Sequence, residues 1–247
     1  MPRPGGACSS YLLQTHHAAV LFDVGPGAAG KLQLAIDYAR LDAIVISHMH
    51  ADHFLDLVSL RYGLKYGPRL RQSELPLWLP PGGTPDLDAL GVLVGRDSAS
   101  DFFAESYAVR EYDPAQELTV KDLTLSFRRT RHSIDAFAIR AECNGASMVY
   151  SADTAPFDAV VEFARGCSLF LCEASLGLGT EEGERGHSSA PEAAKMANDA
   201  GAGRLLLTHY PASCSATDLI RESRSFFGGP LAVAEDGLKI DISALSP

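Results

Sequence analysis

Several features that would define a membrane, secreted or disulfide-rich protein are missing from this sequence. No apolar run approaches the roughly 18–20 residues that a membrane helix needs. The first six residues carry no apolar signal core, so a cytoplasmic location is expected. The five cysteines stand singly, without a C-x-x-C pair, which argues against a disulfide scaffold and a cysteine zinc site. An excess of positive charge is also lacking, since the formal net charge is −10; a basic nucleic-acid footprint over the whole surface is therefore absent.

What remains is the composition of an ordinary globular protein of 247 residues, with 46% hydrophobic and 21% charged residues. This excludes a disordered chain, a collagen-like repeat and a coiled coil. Short apolar runs alternate with helix-period segments, and there is no linker or low-complexity tract, so we predict one layered α/β domain over 1–247. Strands are expected at 18–22, 43–46, 75–79, 118–127, 136–142, 146–151, 168–172, 204–208 and, as two short strands, 231–241. Helices are expected at 31–40, 52–62, 85–94, 156–165, 190–200 and 216–226.

The strongest chemical signal is a cluster of metal-ligand side chains directly after the buried strand at 43–46. It contains His48, His50, Asp52 and His53. Imidazole nitrogens and carboxylates are ligands that zinc prefers. The side chains of His48 and His50 point the same way on extended chain, whereas Asp52 and His53 begin a helix and face another direction. One loop can therefore supply ligands to two adjacent metal ions.

Three more ligand-type residues follow apolar strands at their carboxyl ends. His132 follows the strand that ends near Arg131, Asp153 follows 147–151, and His209 follows 205–208. Ligand sites of α/β sheets collect at such strand ends. Together with the histidine cluster these residues complete a set of seven candidate ligands.

The pattern H-x-H-x-D-H, followed by separated His, Asp and His, resembles the metallo-β-lactamase superfamily over almost the whole chain. Asp23 in 21–25 resembles its first motif, whose aspartate supports the metal loop. The resemblance implies an αββα sandwich of two mixed sheets flanked by helices, with two divalent ions at one edge, zinc or alternatively manganese. It implies that His48, His50 and His132 hold one ion. It implies that Asp52, His53 and His209 hold the second, and that Asp153 bridges the two.

Two further segments resemble motifs of ribonuclease Z. The segment 172–175 resembles its H-E-A-T motif, with Cys172 in place of the histidine, and 186–190 resembles its H-S-T motif. The resemblance implies that His187 assists at the scissile phosphate and that Glu173 pairs with it. Asp52, His187 and Glu173 are therefore the candidate catalytic residues.

The long tRNA-clamping arm of ribonuclease Z has no counterpart here. Only 153 − 132 = 21 positions separate His132 from Asp153, which is enough for a hairpin. Phosphate clamping needs a cationic surface, and the net charge is −10, so tRNA is not expected as substrate. The chain is more similar to small phosphodiesterase relatives without the arm.

We therefore expect a dinuclear hydrolase of a small phosphodiester, such as a cyclic nucleotide, with a hydroxide shared by two ions about 3.5–4 Å apart. Three alternatives stay open. They are an esterase or lactonase on the same metals, a ribonuclease Z-type RNA 3′-processing endonuclease, and a metal-binding module without turnover.

The segment 61–71 is the one local basic and aromatic cluster. It could roof the pocket and meet a base or phosphate, or it could be a solvated connection. The resemblance further suggests a homodimer and, because only four residues precede Gly5, a native start upstream of Met1.

Overall fold

The computed structural model describes residues 4–68, 70–96 and 102–242. These residues form two compact units, each considered by itself. The N-terminal unit holds the described residues up to Asp113 together with Val120–Asp122. The C-terminal unit holds Pro114–Thr119 and the described residues from Leu123 onward. Met1 and Arg69 lie outside the described residues. The hypothesis about a start upstream of Met1 therefore also concerns a region outside them.

A five-stranded mixed sheet of order β1-β2-β3-β4-β5 organises the N-terminal unit. Strands β2 to β5 run parallel, and β1 is antiparallel to β2. The strands are β1 Tyr11–Gln14, β2 Ala19–Phe22, β3 Ala43–Val45, β4 Leu75–Leu79 and β5 Tyr107–Glu111. The helices are α1 Ala28–Ala35, a 3-10 turn Tyr38–Arg40, α2 Ala51–Phe54, α3 Leu57–Tyr66 and α4 Gly83–Gly95.

The central strands β2 and β3 are buried at every residue. That is why their sequences are continuous apolar runs rather than alternating ones. The helices bury Leu32, Leu57, Leu60 and Leu87 in the same core. This packing holds the loops after β2 and β3 on a rigid support.

A seven-stranded mixed sheet of order β12-β11-β10-β9-β8-β7-β6 organises the C-terminal unit. Strands β7 to β9 pair antiparallel, and β9 to β12 pair parallel. The strands are β6 Leu118–Val120, β7 Leu123–Arg129, β8 Phe137–Cys143, β9 Ala146–Tyr150, β10 Leu169–Glu173, β11 Leu205–Thr208 and β12 Leu231–Val233. The helices are α5 Asp158–Phe163, α6 Ala190–Asp199 and α7 Ala216–Ser223. A second core, rich in alanine, packs α6 and α7 with β10 and β11.

The predicted fold class is confirmed, because the protein is α/β with two mixed sheets and flanking helices. The single domain over 1–247 stays a prediction. The hairpin expected between His132 and Asp153 is present as β8 and β9. Its turn places Asn144 and Gly145 at positive φ, the conformation that a tight two-residue hairpin requires.

Several element boundaries differ from the predictions. Strands β1 and β5 are not predicted, and the strand predicted over 118–127 is divided at Lys121 and Asp122. The described residues 234–242 contain no second strand after β12. The helix predicted over 52–62 is two helices, because the Asp56 amide donates to the Val24 carbonyl and its carboxylate accepts from the Ala29 amide.

None of the helices over the described ranges combines the length and apolar composition needed to cross a lipid bilayer.

Candidate metal centre

The histidine cluster of the N-terminal unit lies on the loop from β3 to α2. The backbone of His50 is extended, and the ring centroids of His48 and His50 are 5.0 Å apart, as expected for alternate positions on one side. His53 lies in α2 with its ring centroid 4.0 Å from that of His48. The Nε2 atom of His53 is 3.8 Å from Oδ2 of Asp52. All four predicted ligands of this loop are thus gathered in one place.

Asp23 supports this loop through hydrogen bonds to its carboxylate, as the resemblance of 21–25 to the first family motif implies. Its fully buried carboxylate accepts hydrogen bonds from the Ser47 amide at 2.7 Å and the Ser47 hydroxyl at 2.8 Å. Its Oδ2 atom is also 2.7 Å from Nδ1 of His53. Ser47 Oγ in turn lies 3.0 Å from Nδ1 of His48. One carboxylate therefore orients two imidazoles, one directly and one through a hydroxyl.

Gly25 allows the Asp23 loop to approach the metal loop. A Cβ atom at this position would lie 2.0 Å from the Asp52 carbonyl oxygen, so a side chain would push the two loops apart. A hydrogen bond of 2.6 Å from the Val24 amide to the His53 carbonyl holds the two loops together.

Two of the ligand-type residues of the C-terminal unit lie at the ends of parallel strands. Asp153 follows β9 and His209 directly follows β11. His209 and Ala152, the residue before Asp153, both have left-handed backbone with φ near 50°. Asp23 has the same conformation directly after β2. This conformation is unfavourable for alanine, whereas aspartate and histidine adopt it more readily. The turn at Ala152 is therefore strained backbone that the surrounding packing maintains.

Within the C-terminal unit, ligand atoms of Asp153, His187 and His209 all lie within 4.8 Å of one another. Nδ1 of His209 is 3.5 Å from Oδ1 of Asp153, and Nε2 of His132 is 3.9 Å from Oδ2 of Asp153. The other three predicted ligands are thus grouped around the Asp153 carboxylate. The joint arrangement of all seven predicted ligands stays a prediction.

Glu173 connects this group to the loops around it. Its fully buried carboxylate accepts hydrogen bonds from the backbone amides of Thr154, Ser175 and Ser188. It also lies 2.9 Å from Nδ1 of His187. The predicted contact of Glu173 with His187 is therefore present. It is made by Nδ1, so the Nε2 atom of His187 is not used in this contact.

The two partners of this contact have shifted pKa values. Burial raises the pKa of Glu173, opposed by the hydrogen bond from His187. Burial by itself lowers the pKa of His187, but the hydrogen bond to Glu173 and the charges of Glu173 and Asp153 outweigh it and raise that pKa. The His187 side chain is 26% exposed whereas Glu173 is fully enclosed, so only the histidine can contact a ligand.

The segment that carries His187 also orients His132. The Nδ1 atom of His132 is 2.8 Å from the Gly186 carbonyl oxygen, so it is the proton-bearing nitrogen. Arg185 anchors the segment to α6 through two hydrogen bonds to the Glu192 carboxylate, at 2.8 and 2.7 Å. Glu192 is the partner of Ser189 in the predicted capping box, which is present.

The donor set fits a divalent metal ion. His48, His53 and His132 each engage Nδ1 with a hydroxyl, a carboxylate or a carbonyl. Such partners fix the tautomer and direct Nε2 toward a metal. Neutral imidazoles with carboxylates suit zinc and similar borderline cations.

The structure accounts for two features noted in the sequence, the basic and aromatic segment 61–71 and Cys172. In the segment 61–71, Arg61 is buried over the Phe102 ring and pairs with Glu105, while Arg71 donates to the Ala39 and Leu41 carbonyls. These two cations of the segment therefore have structural contacts. Cys172 is fully buried in the second core, and burial raises its pKa.

Several groups that support the candidate ligands and Glu173 are not predicted from the sequence. They include the Ser47 hydroxyl, the Gly186 carbonyl and the amides of Thr154, Ser175 and Ser188. Ser47 has a readable signal, since a hydroxyl directly precedes the histidine cluster. The backbone groups have none, because every residue carries them and only the folded chain decides which ones meet a ligand.

Comparison with known proteins places the chain in a family. The family described as Beta-lactamase superfamily domain matches residues 18–210. The uncharacterised protein Rv1339 of Mycobacterium tuberculosis is 36% identical over 232 residues, which cover 92% of this chain and 83% of the relative. The chain therefore belongs to the β-lactamase superfamily of metallo-hydrolases.

Relatives with more specific names are more distant. The probable metallo-hydrolase YhfI of Bacillus subtilis is 29% identical over 238 residues, covering 96% of this chain and 93% of YhfI. Ribonuclease Z of Methanothermobacter thermautotrophicus is 28% identical over 270 residues, covering 91% and 87%.

Solved structures show the same fold. The crystal structure of YhfI, described as a metallo-β-lactamase fold protein, superposes with a TM-score of 0.84 at 27% identity, covering 96% of this chain and 92% of YhfI. The short form of human tRNase Z has a TM-score of 0.73 at 22% identity, covering 95% and 92%. Yeast PDE1 has a TM-score of 0.69 at 12% identity, covering 95% of each chain.

Proposed function

We propose that this protein is a dinuclear metal-dependent phosphodiesterase that hydrolyses a small phosphodiester such as a cyclic nucleotide. The observation that carries the proposal is the paired imidazole of His187. It lies 2.9 Å from the buried Glu173 carboxylate and 4.0 Å from Asp153, a candidate ligand. A proton donor beside a metal-binding carboxylate is what cleavage of a poor alkoxide leaving group requires. Similarity to ribonuclease Z supports phosphodiester chemistry over ester chemistry.

Two divalent ions, zinc or manganese, would be held by the residues of the two ligand groups. His48, His50 and His132 would hold one, Asp52, His53 and His209 the other, and Asp153 both. Bound there, the ions supply Lewis acidity and lower the pKa of a bound water.

The residues of this chain supply the proton for the leaving group. Glu173 holds Nδ1 of His187, so Nε2 is the atom that donates. As the bond between phosphorus and the leaving oxygen breaks, the Nε2 proton passes to that oxygen, which becomes a neutral hydroxyl; in a cyclic nucleotide this hydroxyl stays on the ring-opened product. Burial lowers the pKa of His187, but its hydrogen bond to Glu173 and the charge of that carboxylate raise it, which favours the protonated form that donates.

Two features support a small substrate rather than tRNA. The chain between His132 and Asp153 is occupied by the β8–β9 hairpin with a two-residue turn, so it offers no long clamp. The net charge of −10 opposes binding of an extended phosphate backbone.

Metal analysis combined with a substrate panel tests the proposal. The panel contains 3′,5′- and 2′,3′-cyclic nucleotides, bis-p-nitrophenyl phosphate, p-nitrophenyl acetate, acyl lactones and a precursor tRNA. We expect about two metal equivalents and turnover of phosphodiesters only. Turnover confined to esters or lactones would favour the lactonase alternative, and tRNA cleavage would favour the nuclease. Metal without any turnover would favour a binding module.

The role of His187 has a sharper test in the leaving group. Replacing His187 with Gln should lower kcat for a cyclic nucleotide by about 10²–10⁴-fold. The same variant should change hydrolysis of bis-p-nitrophenyl phosphate much less, because p-nitrophenolate leaves without a proton. E142Q, at an exposed position of β8, is the control and should affect neither substrate. Equal losses on both substrates in H187Q would contradict the role of proton donor.

A further inference from the structure

A second concave site lies in the N-terminal unit, at the opposite edge of the five-stranded sheet from the metal loop. Its volume is about 490 Å³, and residues 14–19 and 39–42, with Arg71, Ser73 and Lys121, line it. These segments precede β2, β3 and β4, which run parallel. Asp23 and the metal loop follow β2 and β3 at the other edge. We call this site the N-edge cleft; none of the candidate metal ligands lines it.

The N-edge cleft is cationic although the chain as a whole is acidic. Arg40, Arg71 and Lys121 line it, with Asp42 as the one carboxylate among its described lining residues. With neutral histidines its lining residues therefore carry a formal charge of +2, or +1 when Asp122, which accepts from the Thr15 hydroxyl, is counted. Asp42 is already engaged, since Lys121 Nζ lies 2.6 Å from Oδ1 and the Ala19 amide donates to Oδ2 at 2.8 Å. In a chain of net charge −10, such a local surplus of positive charge favours an anionic ligand.

Hydrogen bonds hold the walls of the cleft in place. Arg71 donates from Nε to the Ser73 carbonyl and from Nη1 to the carbonyls of Ala39 and Leu41. Its guanidinium is thereby fixed at the cleft before any ligand binds. A donor held in position loses less conformational entropy on binding than a free surface side chain.

The opposite wall is the turn between β1 and β2, which carries His16 and His17. The hydroxyl of Thr15 accepts from the amides of His17 and Ala18 and donates to Asp122 at 2.6 Å. The two exposed imidazoles approach each other with their Nδ1 atoms 3.4 Å apart. Both histidines line the cleft.

We propose that the N-edge cleft binds a small phosphate-bearing anion. Its volume lies within the roughly 300–1,000 Å³ typical of small-molecule sites. Guanidinium and ammonium groups are the side chains that recognise phosphate. Apart from histidine, no aromatic residue is among the described residues that line the cleft, so a nucleobase would find no stacking platform. Recognition therefore rests on the phosphate group itself.

Titration of the metal-loaded protein with inorganic pyrophosphate tests this inference. Binding is followed by calorimetry and by the imidazole NMR signals of His16 and His17, assigned with H16Q and H17Q. We expect saturable shifts of these two signals. Binding at the metal centre would instead shift the signals of His132 and His187, so the two sites are distinguishable whatever the catalytic activity proves to be.

Charge-matched double variants make the test specific. R40Q/K121Q removes two cations of the cleft and should weaken pyrophosphate binding at least about tenfold. R221Q/R224Q removes an exposed cation of α7 and the one that directly follows this helix. Neither residue lines the cleft, so affinity should change less than about twofold. Equal weakening by both variants, or unshifted His16 and His17 signals in the wild type, would overturn the proposal. Unchanged metal content and circular dichroism in R40Q/K121Q exclude misfolding as the cause.

Discussion

At the residue scale, Asp23 orients the side chains of the histidine cluster through its hydrogen bonds. It is fully buried and accepts two hydrogen bonds from Ser47 and one from His53. A buried carboxylate is stable only when such partners compensate for its lost hydration. Asp23 therefore couples the stability of the N-terminal unit to the orientation of its candidate ligands.

Substitution D23N tests this coupling. Asparagine tolerates the left-handed backbone at φ 56°, so the variant changes hydrogen bonding rather than backbone strain. An amide cannot accept from all three donors, and we expect a loss of about 3 kcal/mol in the free energy of unfolding. Zinc affinity should fall by about 10–100-fold. Urea unfolding and zinc competition measure the two effects.

The control for D23N is S47A. It removes the hydroxyl between Asp23 and His48 but keeps the carboxylate and its bond to His53. Its effects on stability and zinc affinity should be smaller than those of D23N. A stable D23N protein with wild-type zinc affinity would show that Asp23 does not support the loop.

At the element scale, strand ends of the C-terminal unit place His209 and Asp153 side by side. Ala152 and His209 adopt left-handed backbone at two such ends. An alanine in this conformation is strained by roughly 1–2 kcal/mol. Since Ala152 is fully buried, packing of the neighbouring strands must hold the turn.

Comparison of A152G with A197G measures that strain. Both alanines are fully buried, so each variant loses one enclosed methyl group. A197G also weakens α6, because glycine disfavours helix by about 1 kcal/mol, whereas A152G relieves the left-handed strain. We expect A152G to be at least about 1 kcal/mol less destabilising in chemical denaturation. Equal losses would mean that the turn at Ala152 stores no strain.

The start of α6 is a second element with a measurable contribution. Glu192 closes the capping box and receives the bidentate bond from Arg185. This hydrogen bond is the main reason why the pKa of Glu192 is lowered. A carboxyl group with a lowered pKa in the folded state stabilises the protein above its unfolded pKa of about 4.3 and loses this effect as pH falls.

Substitution E192Q should therefore cost about 1 kcal/mol of unfolding free energy at pH 7. The difference from the wild type should shrink as pH falls from about 5 toward 3, where Glu192 becomes protonated. The control is E162Q at the exposed pair with Arg165, for which we expect a smaller difference. A gap between wild type and E192Q that widens at acid pH would contradict the assignment.

At the scale of the whole molecule, bound metal should contribute to stability. Ions that bind the folded chain stabilise it by about 2.7 kcal/mol at one hundred times their dissociation constant. For a protein of this size that corresponds to a rise in Tm of several degrees, at about 2–4 °C for each kcal/mol.

Thermal unfolding with and without a chelator measures this contribution. We expect the chelated protein to unfold at lower temperature and zinc to restore the original Tm. In H50A the response to zinc should be reduced, because a candidate ligand is lost. Superimposable unfolding curves with and without chelator would show that metal is no part of the native protein.

Much of the fold can be predicted from local pattern. The buried strands β2 and β3 are continuous apolar runs, β11 begins with three leucines, and the capping box marks the start of α6. Strand β5 is not predicted, because its sequence Tyr-Ala-Val-Arg-Glu is only partly buried and has no clear strand pattern. Its extended conformation is stabilised by parallel pairing with β4. Helices α2 and α3 separate because of contacts made by Asp56 with residues about thirty positions earlier.

The sequence by itself determined the identities of the candidate ligands and the layered α/β class. Both depend on short-range information: the spacing of histidines and carboxylates after apolar strands, and the period of hydrophobic residues. Tertiary structure alone decided which groups support those ligands. The Gly186 carbonyl orients His132, and the Thr154 and Ser188 amides bind Glu173. Backbone groups are the same in every residue, so only the folded path of the chain selects which of them meets a given side chain.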